Sequence, residues 1–497
     1  MFNHPLFLLL LPLSVMILGP GPKSSTDAPH SRELLWALGA GITSCIATTW
    51  WFSRFHLVGA LTTADFPEYC QSVAALVWHE DFYYSRNRSL LNGVMAGLFA
   101  REAGIIDGLA LSSIFHTMIL GSALYLWGRA LGDRLSGVSA ALLMGAVAPL
   151  AVLPRTLSFY PQVVAFFALS GAAVLWAWRW PSPRSILWGS AAVGLCLATD
   201  LRGLAFGLTH GGMLLLLAAW YWWKEGRGAR LFAILSAALI LPIVASYAVS
   251  HRLYSDQAPG LEERMDVRKL FAERGYTDAK FQPPYDRPSR YLWGHSSILE
   301  IPTTLQWISE QSQLAPENWK KRQHNSREIG DQYDNWVWPL AVLCGVVTFV
   351  LRGQYRLLLG LTGVLVPYFA QLHTAVSLVD FHVRFLGPGM LIIPALGGVA
   401  WAGLCQLPFS PLASRRGPAW LRPTLGFALL LAVMFGLIPT WLSPVAPWRR
   451  AIMGDRQPYD LQQAATQGGM NPKLIYPCLE ALKNDKDRNS EAGYRIF

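Results

Sequence analysis

A carboxylate stands directly after an apolar run in Ala64-Asp65-Phe66-Pro67-Glu68-Tyr69. If that run spans a bilayer, Asp65 lies at its surface, where a water-soluble hydroxyl and a lipid headgroup both have access. A carboxylate so placed could take the proton of an attacking hydroxyl. The same residues also suit a helix start, because Asp just before Pro is a good cap. Glu68 and, farther along, Asp81 are candidate second acids. Around Asp81 stand His79, Glu80, Arg86 and Arg88. That group equally fits a solvated helix face, with Glu80 or Asp81 as an alternative metal ligand.

Cations form the second set. Asp200 and Arg202 interrupt an otherwise apolar stretch. Ionised groups at membrane depth are costly, so they normally line a cavity or pair. Two residues apart on a helix they do not face each other, which leaves Arg202 as a candidate ligand for a phosphate or as half of a pair with another span. Arg155, between Pro154 and Tyr160-Pro161, is either a snorkelling interfacial arginine or a phosphate contact. Arg384 follows His382 and precedes Gly387-Pro388, and its planar fork of donors suits phosphate oxygens. His382, Arg86 and Arg88 are candidate substrate contacts, and Arg252, Trp293, His295, Glu300 and Trp307 are less distinctive ones. His373 and His382 do not have the spacing of a helical metal pair. The six cysteines show no metal spacing either. Cys45, Cys196, Cys344 and Cys405 sit in apolar runs as small hydrophobes, while Cys70 and Cys478 are open to pairing.

The elements that must position these residues are membrane spans. Of 497 residues 53% are hydrophobic and 14% charged, against about 25% charged in a typical soluble chain. Apolar runs cover 34–60, 107–127, 136–153, 161–178, 186–203, 204–223, 231–250, 336–351, 357–374, 388–406 and 425–444. At roughly 20 residues per span this predicts an all-α polytopic membrane bundle of about 11–12 transmembrane helices. The net charge of +10 sits mainly in short loops and is a topology signal, with no basic and aromatic stripe to suggest nucleic acid. Alternate loops carry Arg129 and Arg134, Arg179 and Arg184, Lys224, Arg227 and Arg230, Arg352 and Arg356, then Arg415, Arg416 and Arg422. Short basic loops are cytoplasmic by the positive-inside rule.

The intervening segments then face outward, and the chain divides accordingly. Residues 1–33 are an apolar segment, either signal-like or an extra span, with a cytoplasmic linker. Residues 34–250 form a transmembrane module whose first outer loop is 61–106; 251–335 is a large outer loop; 336–444 holds the later helices; 445–497 is an outer tail. Within the first outer loop, 92–100 is apolar enough to lie in the interface as an amphipathic helix. Asn87-Arg88-Ser89 is a lone sequon, near chance expectation.

Four stretches of this arrangement resemble the GT-C superfamily, multi-pass glycosyltransferases that use lipid-phosphate sugars. They are the acidic motif at Asp65 and Glu68, and Arg88-Ser89-Leu90-Leu91-Asn92-Gly93 with the span ending Leu124-Tyr125-Leu126-Trp127-Gly128-Arg129. The others are Thr199-Asp200-Leu201-Arg202-Gly203, similar to an arginine-glycine step, and His382-Val383-Arg384-Phe385-Leu386-Gly387-Pro388 through Pro394, similar to an Arg-aromatic-x-x-Pro segment. The likeness runs over roughly residues 34–406. Many members have two adjacent acids where this chain has Asp65 and then Glu68 after Phe-Pro.

The resemblance implies a GT-C-like fold and an inverting transfer on the non-cytoplasmic face. The donor would be a polyprenyl-phosphate sugar, the acceptor a glycan, lipid or protein hydroxyl, and Asp65 the base. Arg202, Arg384 and Arg155 would hold the donor phosphate. No cofactor is required, and a divalent metal is optional. The competing classes are a transporter or flippase, and a non-catalytic membrane subunit. Transporters commonly repeat their halves around midplane charges. This chain shows no internal repeat, and its charges gather at one surface. The single sequon and lack of a retention signal favour a bacterial inner membrane, with the site on the periplasmic or extracellular side.

Overall fold

The computed structural model describes residues 32–52, 69, 73, 90–151, 153–155, 158–199, 201–225, 337–374 and 383–406. Two expected spans, 231–250 and 425–444, lie outside the described residues, as do the first segment to residue 31, the large outer loop and the tail. What is described is helical, with no strand among the described residues. The elements are α1 (Glu33–Phe52), α2 (Leu90–Ala103), α3 (Ile105–Leu131), α4 (Arg134–Leu143), α5 (Ala148–Ala151), α6 (Tyr160–Arg179), α7 (Pro183–Leu197) and α8 (Leu201–Glu225), followed by α9 (Val337–Leu351), α10 (Tyr355–Thr374), α11 (Val383–Met390) and α12 (Ile392–Gln406). Three stretches are long and apolar enough to cross a membrane: Asp107–Leu131, Tyr160–Arg179 and Gly387–Leu404. The fold is a helical membrane bundle, and α2 confirms a helix at the stretch expected to be amphipathic. Its small face (Gly93, Ala96, Gly97, Ala100) is buried against α3.

The sequence marks its helix ends with local chemistry. Asp133 caps α4 by accepting from the Ser136 N–H at 2.8 Å, and Ser182 and Ser185 form a reciprocal capping box ahead of α7. Proline sets the interruptions. The expected continuous span 136–153 is instead α4, a 3-10 turn at Met144–Ala146, then the short α5. Pro149 lacks the N–H that would bond residue 145, and its ring crowds that carbonyl. The span expected at 388–406 is present as Gly387–Leu404, interrupted only at Leu391 between α11 and α12, where Pro394 leaves Met390 without its helical donor. A third boundary shifts as well. The expected 186–203 span stops at Leu197, where Thr199 folds back to donate to the Cys196 carbonyl at 2.8 Å. Arg202 therefore belongs to the first turn of α8.

Helix α3 is the centre, packed against α1, α2, α4 and α6. Helix α12 covers α4, and α6 also meets α7, α8, α10 and α11. In lipid there is no hydrophobic drive between helices, so close contact and hydrogen bonds must hold them. Gly128 of α3 supplies contact, since any Cβ there would collide with the Ser136 carbonyl of α4. Trp127, fully buried, donates its indole N–H to the Ala168 carbonyl of α6 at 2.6 Å. His210 of α8 donates from Nε2 to the Val364 carbonyl of α10 at 2.9 Å and accepts at Nδ1 from the Ser170 hydroxyl of α6 at 2.7 Å. Both ring nitrogens are thus used, and three helices are tied.

A charged knot closes one end of the bundle. Glu33, at the start of α1, accepts from the Tyr125 hydroxyl at 2.7 Å, Arg134 Nε at 2.9 Å and Arg129 Nε at 3.4 Å. Arg179, at the end of α6, donates to the last carbonyls of α3, those of Arg129, Ala130 and Gly132. A cation at a helix C-terminus satisfies acceptors that have no helical donor and offsets the helix dipole. Both arginines also lie over the Trp180 ring, at 5.1 and 4.7 Å. The start of α10 joins the same end, with Gly360 against the Trp178 ring, and Arg352 approaches Gly403 of α12. Thus the arginines of three of the basic loops gather at a single end. Exposed Trp36, Trp188 and Trp223 are near it too, as expected of an interfacial aromatic belt.

The knot makes a stability prediction. Glu33→Ala removes the carboxylate that pairs with the buried Arg129, 1% exposed, and should cost about 3–5 kcal/mol, as breaking a buried ion pair does. Arg134→Ala removes a side chain that is 44% exposed and should cost about 1 kcal/mol or less. Thermal unfolding of the two variants in one detergent checks the order. Equal losses would refute the assignment of Glu33 and Arg129 as the core of the knot.

Candidate functional site

At the opposite end, several short segments meet the first turns of α6. The helix begins with Tyr160-Pro161-Gln162, and proline in this first turn sacrifices no helical bond. Phe159, just before it, is buried and meets the ring of Tyr69 edge-on with centroids 4.6 Å apart. Tyr69 and Val73 are themselves fully buried. A piece of the first outer loop is therefore packed onto the start of α6. From the other side, α11 lies against α5 and α6. A Cβ on Gly387 would come within 2.7 Å of Val164, so glycine there sets how closely α11 approaches. Helix α8 joins through Phe206, whose ring lies 4.3 Å from that of Phe167. Its first turn fits only because residue 203 is Gly, as a Cβ would strike the Cys196 carbonyl and Thr199 Oγ1.

The expected site residues fall on this end unevenly. Arg155 ends the 3-10 turn at Leu153–Arg155, Arg202 lies in the first turn of α8, and Arg384 in the first turn of α11. All three turns lie at the end of the bundle where α6 begins, on elements that pack against α6. Asp65, Glu68, Asp81, Arg86, Arg88 and His382 lie outside the described residues, as does Asp200. Tyr69, four residues beyond Asp65, is the nearest described neighbour of the acidic motif. No group of three His, Cys, Asp or Glu able to hold a metal occurs among the described residues.

Two polar residues on the α3 and α6 faces were not singled out from the sequence. Gln162 is 2% exposed, and neither its amide oxygen nor its nitrogen has a hydrogen-bond partner among the described residues. His116 of α3 is 1% exposed. Its Nδ1 donates to the Ser112 carbonyl at 2.7 Å, whereas Nε2 is buried without a partner among the described residues. The His116 ring meets Phe166 edge-on, centroids 5.4 Å apart. Gln162 precedes Phe166 by one turn on the same helix face. The available signal was a polar residue inside an apolar run, which membrane chains retain for a reason.

No protein-family model matches the sequence, and no curated protein matches it. Solved structures do. The apo oligosaccharyltransferase of Archaeoglobus fulgidus is similar over 91% of this chain and 58% of its own, at 12% identity and a TM-score of 0.42. The same enzyme tethered to an acceptor peptide containing the NVT sequon gives 91% and 58% coverage, 11% identity and a TM-score of 0.40. ArnT from Cupriavidus metallidurans, bound to undecaprenyl phosphate, is similar over 91% of this chain and 80% of its own, at 12% identity and a TM-score of 0.43. The chain spans 58% of the length of the archaeal enzyme. TM-scores of 0.42 and 0.43 define no shared function, and the function proposed below stands on this chain's own residues.

The packing at Gly203 is directly testable. Gly203→Val must push the first turn of α8, and with it Arg202, away from Cys196 and Thr199, so the thermal midpoint should fall by several degrees. Gly39→Ala, where a Cβ meets nothing within 4 Å, should leave it unchanged or raise it slightly, since Ala is the better helix former by about 0.8–1 kcal/mol. A tolerated Gly203→Val would show that this approach does not set the position of Arg202.

Proposed function

We propose that the chain is a membrane glycosyltransferase that moves a sugar from a polyprenyl-phosphate donor to an acceptor hydroxyl. The observation that supports this best is that three arginine-bearing turns, at Arg155, Arg202 and Arg384, lie at the end of the bundle where α6 begins. That is also the end where Tyr69 brings in the segment following Asp65. Cations drawn from three separate elements suit one polyanionic headgroup, and a carboxylate close by suits a hydroxyl that must lose its proton.

In this reading the lipid tail lies between helices at the non-cytoplasmic leaflet, with the phosphate among the three arginines. The acceptor oxygen attacks the anomeric carbon as Asp65 takes its proton. A new carbon–oxygen bond forms on one face of the sugar while the bond to the phosphate oxygen breaks on the other, so the centre inverts. The electron pair leaves with the phosphate. Because phosphate is already a good leaving group, fixed positive charge aimed at its developing charge contributes more than a general acid would. Glu68 and Asp81 are the candidate second acids of this reading, and His382, Arg86 and Arg88 are its substrate contacts. The opposite, arginine-rich end would face the cytoplasm, which in a bacterium puts the site on the periplasmic side of the inner membrane.

Purified protein incubated with a panel of radiolabelled polyprenyl-phosphate sugars and candidate acceptors tests this. Asp65→Asn should lower turnover by at least a hundredfold, in keeping with the roughly 10²–10⁴ typical of a general base, with an unchanged elution profile. Arg202→Ala and Arg384→Ala should instead raise the donor KM. Sugar transfer that is indifferent to Asp65 would remove the aspartate-base mechanism, and the absence of any donor consumption would remove the enzyme.

A further inference from the structure

We propose that Gln162 and His116 together bind a sugar hydroxyl, as a polar floor beneath the reacting centre. This rests on the glycosyl-transfer reading of this end of the bundle and adds a recognition element to it. Gln162 lies in the first turn of α6, one turn beyond Phe159, which carries the Tyr69 contact. His116 meets α6 one turn deeper, at Phe166. The two residues thus line one strip of the α3–α6 contact, directly below the buried loop segment that follows Asp65.

The chemistry of the free atoms selects the ligand. With Nδ1–H committed to the Ser112 carbonyl, the neutral His116 ring presents a lone pair at Nε2. The Gln162 amide presents one acceptor and two donors. A phosphate oxygen would be repelled by that lone pair, and an ammonium could not use the amide N–H groups. A hydroxyl both donates and accepts, so it fits both residues at once. Buried polar atoms are paired in the great majority of cases, and sites built to bond a substrate hydroxyl are a place where the pairing waits for the ligand. His210 supplies the internal comparison. It is as deeply buried, yet both its nitrogens are bonded within the protein.

The test uses full-length protein in detergent and measures binding of undecaprenyl-phosphate mannose, undecaprenyl-phosphate arabinose and sugar-free undecaprenyl phosphate. Wild type should bind one sugar-bearing lipid more tightly than the sugar-free lipid. Gln162→Leu and His116→Phe should each reduce that preference about tenfold, one hydrogen bond's worth, with affinity for the sugar-free lipid unchanged. Gln162→Asn, which keeps the amide but shortens its reach, should also lose the preference. Unchanged affinity for the sugar-free lipid reports an intact fold. If the donor preference survives but the acceptor KM rises about tenfold, the hydroxyl bound is the acceptor's and the inference stands. If neither changes, it is overturned while the transferase reading survives. A wild type that prefers no sugar-bearing lipid overturns both.

Discussion

The buried carboxylate of Glu33 is the constraint on which the described bundle depends. In a membrane interior, helices gain little from apolar contact with each other, because lipid tails are equally apolar. Orientation must come from directional bonds and close backbone approach. Glu33 joins α1 to α3 through Tyr125 and Arg129 and to α4 through Arg134. Arg179 then joins α6 to the end of α3. A charge buried this way costs much to desolvate, so it does not maximise stability. It does fix which helix ends meet, and that determines what assembles at the far end of the same rigid helices.

Knot and candidate site are linked by ordinary helix geometry. Helix α6 runs for 20 residues from one to the other, roughly 30 Å at 1.5 Å per residue. Arg179 anchors its last turn, Trp127 and Ser170 hold its middle, and Gln162 stands in its first turn. Small residues let neighbouring elements come close at the free end, with Gly387 admitting α11 and Gly203 admitting α8. The site is therefore made of first turns and loops set on a scaffold clamped elsewhere. The packing of that free end is thus separate from the clamp that fixes the helices.

Much of this was legible in the residues, and the rest failed for identifiable reasons. Apolar runs gave α1, α3, α6, α9 and α10 to within a few residues, because membrane spans must be continuous, helical and apolar. The basic loops gave a shared end for Arg129, Arg134, Arg179 and Arg352. The break at Pro149 and the helix end at Leu197 were missed, since hydropathy averages over a proline or a threonine without registering a lost or diverted hydrogen bond. Glu33 was read as linker because its partners are about a hundred residues away in sequence. Of the expected site residues, the three arginines fall on described turns, and the sequence marks them only as isolated cations in apolar surroundings. It leaves Gln162 and His116 unmarked, because a neutral polar residue in a span carries no sign of whether a partner awaits it.

That last distinction separates structural from functional polar groups in this bundle. His210 and His116 are the same residue type at comparable burial, but the Ser170 hydroxyl donates to Nδ1 of His210, whereas Nδ1 of His116 donates to the Ser112 carbonyl. The environment of His210 is closed: Val364 of α10 turns its carbonyl to Nε2, and the ring becomes a strap between α8 and α10. The environment of His116 stops at Phe115 and Phe166, aromatic edges that position the ring without bonding Nε2. If burial alone had selected these residues, the unbonded pair would be the more costly and the easier to replace with Phe or Leu. Its location beneath the buried Tyr69 and Val73 gives a reason for keeping it, namely recognition of something that arrives from that side.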